Sequence, residues 1–193
     1  MMKYYIDNLY KERGKYMKTV VIYKSKYGTT KRYAQWIAEA LQAPLFESSE
    51  INPSQLSDYD VVIYGGGLYA SGILGVELVV KNHCKSLVVF TVGLSNPDTT
   101  DYTKILEENF SQEFLAKIKV FHLRGGIDYK KLGFIYKVMM FLLIKLKVEK
   151  IPQEERTREE QTMLDTYGDK VDFTDETTII PLLDYVRGLN NKQ

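Results

Sequence analysis

The 193-residue chain is 45% apolar and 26% charged, enough for one α/β domain with a buried core and an inserted segment. Its 26 basic residues nearly balance its 25 acidic ones, leaving a formal net charge of +1, which argues against a nucleic-acid binder driven by bulk charge. Cys84 is the single cysteine, so an intramolecular disulfide and a cysteine-based metal site are excluded and a reduced, cytoplasmic setting is expected. No uncharged apolar run reaches the roughly 18 residues of a membrane span, and no apolar stretch reads as a secretory signal.

Residues 1–16 carry no clear period, and a strand pattern begins directly after Met17. Two readings of this extension stand: a translated leader upstream of a native start at Met17, with Arg13-Gly14 encodable by a stretch resembling a ribosome-binding site, or a genuine N-terminal extension. The domain proper is expected over 17–190.

Lys18 to Tyr23 (KTVVIY) is β-branched and apolar, suited to a strand buried on both faces. Ser25 to Thr30 is a small polar turn, and Thr30 to Leu41 carries a helical stripe of Tyr33, Ala34, Ile37, Ala38 and Leu41. Leu45 to Glu47 is a short second strand and Pro53 to Ser57 a connector. Asp60 to Tyr64 (DVVIY) predicts a third strand that runs into Gly65-Gly66-Gly67. Ile73 to Asn82 suits a helix with Gly75 as a weak spot. Ser86 to Val92 is a fourth strand ending in a turn-rich stretch, Gly93 to Pro97. Asp101 to Asn109 looks helical, and Ile118 to Leu123 is a fifth strand. Glu176 to Leu189 predicts a final helix, capped by Thr174 or Asp175 and stopping near Gly188. Strands alternating with helices give βαβ units. The expected fold is α/β, a doubly wound five-stranded parallel sheet of order 2-1-3-4-5 with a helical insertion, 125–172, before the last helix. Ligands in such sheets sit outside the carboxyl ends of the strands, near the switch point.

The turn after the first strand reads Ser25-Lys26-Tyr27-Gly28-Thr29-Thr30. A phosphate needs several donors aimed at one spot. A tight turn leading into a helix N-terminus supplies free N–H groups and the positive end of the helix dipole, hydroxyls at Ser25, Thr29 and Thr30 add more, and Gly28 permits close backbone approach. The loop lacks the glycines and lysine of a P-loop or a dinucleotide fingerprint. Its hydroxyls could also serve only as helix caps. S-K-Y-G-T-T resembles the flavodoxin pattern T/S-x-x-G-x-T. That resemblance, over roughly 17–188, implies that Ser25, Lys26, Tyr27, Gly28, Thr29 and Thr30 hold the phosphate of FMN.

Two further loops would then take the flavin ring. In Gly66, Gly67, Leu68, Tyr69 and Ala70, glycine would let a peptide flip beside the ring and Tyr69 would offer an aromatic face; the other reading is a flexible connector with a tyrosine on the core. Val92, Gly93, Leu94 and Ser95 would meet the other side of the ring. Tyr102 could stack there or simply begin the next helix. The near-neutral charge predicts a less extreme low reduction potential than that of acidic flavodoxins. His83 and His122 read as ordinary surface or strand-end residues.

Between Arg124 and Lys150 stand seven basic and two acidic residues around a strongly apolar helical pattern, 132–148. This helix could pack on the core, lie on a membrane surface with its lysines snorkelling, or wall a site for a large apolar, acidic substrate. R-G-G-I-D-Y followed by K-L-G-F-I-Y-K-V-M-M-F-L-L-I-K resembles the flavodoxin-domain family that contains menaquinone-dependent protoporphyrinogen oxidase. The resemblance implies oxidation of protoporphyrinogen at FMN, a place in heme biosynthesis, quinone as acceptor, and Arg124, Lys130, Lys131 and Lys137 as candidate cations for the propionates. The alternatives are an electron carrier between protein partners and a flavodoxin-fold protein without FMN.

Overall fold

The computed structural model describes residues 17–69, 71–131 and 133–190; the expectations for residues 1–16 and for Ala70 lie outside them. Five parallel strands carry the fold: β1 (Thr19–Lys24), β2 (Leu45–Glu47), β3 (Val61–Tyr69), β5 (Leu87–Gly93) and β6 (Lys119–Arg124), in the order β2-β1-β3-β5-β6. A two-residue strand, β4 (Gly72–Ile73), folds back antiparallel on β3. Apart from that hairpin, this is the expected doubly wound five-stranded order.

Layers on both faces explain the unbroken apolar strands. Because side chains alternate, Val21, Ile63, Val88 and Phe90 face α1 (Thr29–Leu41) and α7 (Ile180–Asn190), packing against Tyr33, Ala34, Ile37, Leu182 and Val186. Val20, Ile22, Val62, Tyr64 and Val89 meet Leu56, Val79 and Phe110 on the other face. That second layer holds α2 (Glu77–Val80), α3 (Thr103–Asn109) and α4 (Gln112–Leu115).

Three local expectations are corrected. The helix expected over 73–82 shrinks to α2, because Ile73 pairs with Leu68 in the hairpin. Gly75 then sits at φ +69°, where an added Cβ would lie 2.5 Å from the Tyr64 hydroxyl; that hydroxyl donates to the Leu74 carbonyl at 2.7 Å. The Gly65-Gly66-Gly67 run is strand, not loop, laddered to β1 and β5, and none of its glycines has positive φ. A peptide flip there would break the central ladder. The last helix starts at the expected cap, the Asp175 carboxylate accepting from the Thr177 amide, but opens as a tight turn, Glu176–Ile179, and α7 then continues through Gly188.

The insertion is clamped at its base. β7 (Gly126–Asp128) pairs antiparallel with β8 (Lys170–Asp172). Arg32 on α1 reaches Asp172 at 2.7 Å, and the Tyr33 hydroxyl donates to the Arg124 carbonyl at 2.7 Å while accepting from the Asp175 amide at 3.1 Å. From this base rise α5 (Phe134–Leu143), a π-helical turn over Ile144–Val148, and α6 (Arg158–Asp165), whose start is a reciprocal Thr157–Glu160 capping box.

Candidate functional site

The first wall of the site is the turn after β1. The Ser25 Oγ accepts from the Gly28 amide at 3.0 Å. Gly28 takes φ +92° at the N-cap of α1, a conformation that strains any residue with a Cβ. No side chain caps this helix, so the amides of its first turn and the positive end of a 13-residue dipole face outward. Thr29 and Thr30 stand at this end and line the cavity, Thr30 only 2% exposed. This is the donor set an anion requires.

The second wall is the end of β3. Gly67, Leu68 and Tyr69 line the cavity. The Tyr69 and Tyr27 hydroxyls are 2.6 Å apart, and the Lys26 ammonium lies 4.4 Å over the Tyr69 ring. Burial and the hydrogen bond to Tyr69 push the Tyr27 hydroxyl up to about 12, so it keeps its proton at neutral pH. The Gly133 backbone, at the start of α5, partly offsets that rise. Gly66 lies in the strand with Ile73 packed where its Cβ would be, outside the lining.

The third wall follows β5. Val92, Gly93 and Leu94 line the cavity, and the Gly93 carbonyl accepts from the Gly125 amide at 2.6 Å. Ser95 departs from the expectation: it lines a neighbouring hollow with Arg124, Met163 and Phe173. Arg124 is drawn there because its guanidinium stacks 4.0 Å over Phe173 and donates to the Leu94 carbonyl at 3.1 Å. Ser25 and Gly28 shape the first turn without lining the cavity.

The floor was not expected, while the fourth wall is the third of the expectations for the 132–148 helix, that it walls a site. Gly125, Gly126 and Ile127 form the floor, and Met139, Met140, Leu142 and Leu143 of α5 close the side, with Leu74 opposite. A Cβ on Gly125 would meet Val92 at 2.7 Å and Thr29 Oγ1 at 3.3 Å. The Gly-Gly pair after the fifth strand and the Met-Met run were the available signals. The insertion therefore walls the cavity; among the described side chains of its apolar helix, Ile144 and Val148 are the buried ones, while Phe134 is 81% exposed. Core packing, the first of the three expectations for 132–148, is corrected to that extent. The cleft holds about 600 Å³, within the range of small-molecule sites.

Of the cations expected to meet propionates, Arg124, Lys130 and Lys137 lie outside the cavity lining. Lys130 and Lys137 border a separate hollow with Tyr129 and Tyr167, and Lys26 is the basic residue among those lining the main cavity.

Of the two readings of Tyr102, the structure has the second: it begins the next helix as the N-cap of α3 and is buried, stacked on His122 with the rings 3.7 Å apart and 4° from parallel. His122 is correspondingly more than a strand-end residue. Its Nδ1 is 2.6 Å from the Thr91 hydroxyl, and burial pushes its pKa down to about 4. An unfolded histidine titrates near 6.5, so the unfolded chain binds the extra proton between about pH 6.5 and 4, and stability is lost as pH falls through that window. Allowing for residual solvent contact, the loss is about 1–2 kcal/mol. Urea midpoints at neutral pH and near the acid end should show this drop, and His122→Phe should flatten it; an equal drop in the variant would assign the acid sensitivity elsewhere.

The flavodoxin domain family matches residues 20–152. An uncharacterized protein of Methanocaldococcus jannaschii is 25% identical over 109 residues, 53% of this chain and 67% of that one. Among solved structures, a flavodoxin from the domain Archaea aligns over 56% of this chain and 83% of its own, at 16% identity and a TM-score of 0.42. A flavoprotein from Lactobacillus acidophilus, solved in complex with FMN, aligns over 56% and 93%, at 14% identity and a TM-score of 0.38.

Proposed function

Since this chain belongs to the flavodoxin domain family, which binds FMN, we propose that it is an FMN-dependent oxidoreductase whose second reactant is a flat, largely apolar molecule meeting the flavin against α5. The residues fit the cofactor: the uncapped α1 N-terminus and the Thr29 and Thr30 hydroxyls suit a phosphate, and a cleft with apolar sides between Leu68, Leu94 and Met140 suits a ring. FMN would supply two-electron chemistry.

The protein's own part is binding and exclusion. Lys26 and the paired tyrosines border the cavity beside the phosphate loop, with Tyr27 holding its proton. Met139, Met140, Leu142 and Leu143 keep the wall apolar, favouring a reactant that gives up little hydration. A quinone acceptor, taking two electrons and two protons to become a quinol, meets this description. Protoporphyrinogen with quinone, the pair implied by the resemblance at 124–145, is the first pair to assay.

The observation that carries the proposal is that the insertion walls the same cavity as the three loops. Anaerobically reduced protein should be reoxidised by menadione much faster than by a one-electron protein acceptor such as cytochrome c. Leu143→Asp should slow the quinone reaction at least about tenfold by charging the wall while FMN stays bound. Rapid reaction with the protein acceptor, and none with quinone, would overturn the proposal in favour of an electron carrier.

A further inference from the structure

We propose that the outer face of α5 seats this protein on the surface of an anionic lipid bilayer. At 3.6 residues per turn, Phe134, Val138 and Phe141 form one outer stripe, with Leu142 at its edge also bordering the cavity. Such a stripe ordinarily faces a core, yet these side chains are 81%, 41%, 48% and 45% exposed. Leu146, 58% exposed, extends the patch, while Ile144 and Val148 are buried at 1% and 4% and anchor the next turn. The helix is thus fixed at its C-terminal end with its apolar outer face in water.

The charges around it select the occupant. Lys137 and Lys147, on the same helical segment, are exposed, as are Lys130 and Lys150 just before and after it in the chain, and Lys145 is paired with Glu149 at 2.6 Å. Apolar side chains rimmed by lysines match an interface of anionic headgroups over acyl chains, the lysine stems lying along the apolar surface. A second copy of the chain would cover the stripe only by bringing two lysine-rich rims together. The helix lies on the bilayer: its ten residues reach about 15 Å, half the hydrocarbon thickness, and among the described residues no helix is long and apolar enough to cross.

One helix then has two roles. Met140 and Leu143 wall the cavity while Phe134 and Phe141 enter the headgroup layer, so a lipid-soluble reactant would reach the cavity from the membrane. That consequence rests on the proposed redox reading; the docking does not, because it is read without flavin.

The test is co-sedimentation of the full chain with phosphatidylcholine vesicles, with and without phosphatidylglycerol, in low and high salt. Binding is expected only to vesicles containing phosphatidylglycerol, weakening with salt. Phe134→Ser/Phe141→Ser and Lys137→Glu/Lys147→Glu, both on exposed side chains, should each reduce binding roughly tenfold with the circular dichroism spectrum unchanged. Absence of wild-type binding, or binding that neither variant weakens, would overturn the proposal. So would a concentration-dependent dimer, without lipid, that Phe134→Ser/Phe141→Ser makes monomeric.

Discussion

Gly65→Val is expected to destabilise the protein by about 3 kcal/mol, the upper end of what overpacking a core costs. Gly65 sits in the central strand, paired with Tyr23 on one side and Phe90 on the other. The Phe90 ring lies across the position an added Cβ would take, close enough that something must shift. Neither partner can yield cheaply: β3 is laddered on both edges, and Phe90 is wholly buried. Phe90→Ala alone should cost about 3–5 kcal/mol through the cavity it leaves. In the double variant the valine occupies part of that cavity, so its cost should fall short of the sum by 1 kcal/mol or more, as expected for residues in contact. Urea midpoints of the four proteins measure the difference, and strict additivity would show that the ring does not dictate the glycine.

Thr29→Val/Thr30→Val is expected to weaken FMN binding on the order of 100-fold while changing riboflavin binding little. Each hydroxyl stands at the open end of α1, and a hydrogen bond to a charged group contributes about 1.5–3 kcal/mol. Valine keeps the shape of threonine, which matters for Thr30 because it is 2% exposed and its Oγ1 would lie 3.2 Å from a Cβ on Gly67. Riboflavin lacks the phosphate, so its affinity reports the ring cleft and the fold alone. Equal losses for both ligands would mean that the hydroxyls support the loop without meeting the phosphate.

The sheet was legible because two-sided burial writes itself as unbroken apolar runs, KTVVIY and DVVIY among them. The phosphate turn was legible because hydroxyls and a glycine stood between a strand and a helical stripe. The glycine run misled: its composition suggests a flexible turn, whereas the ladders to β1 and β5 and the bulk of Phe90 hold it extended. Ile73 to Asn82 has helical spacing, but the hairpin at Ile73 and the Tyr64 bond to Leu74 override it. Strands of three residues such as β7 and β8, brought together from the two ends of an insertion, leave no local period to read. Periodicity also marked 132–148 as an apolar helix without saying which face would look inward, because both faces are apolar. Arg124 could be read only as a free cation until Phe173 and the Leu94 carbonyl were seen to occupy it.

FMN is expected to sit in this cavity with its phosphate at the α1 N-terminus. Titrating FMN and riboflavin into the purified chain, followed by flavin fluorescence, tests it most directly. One equivalent of FMN should bind with its fluorescence quenched, at least roughly 100-fold tighter than riboflavin, the difference two hydrogen bonds to a charged phosphate supply. Equal affinity for the two, or no saturable FMN binding, would contradict the account.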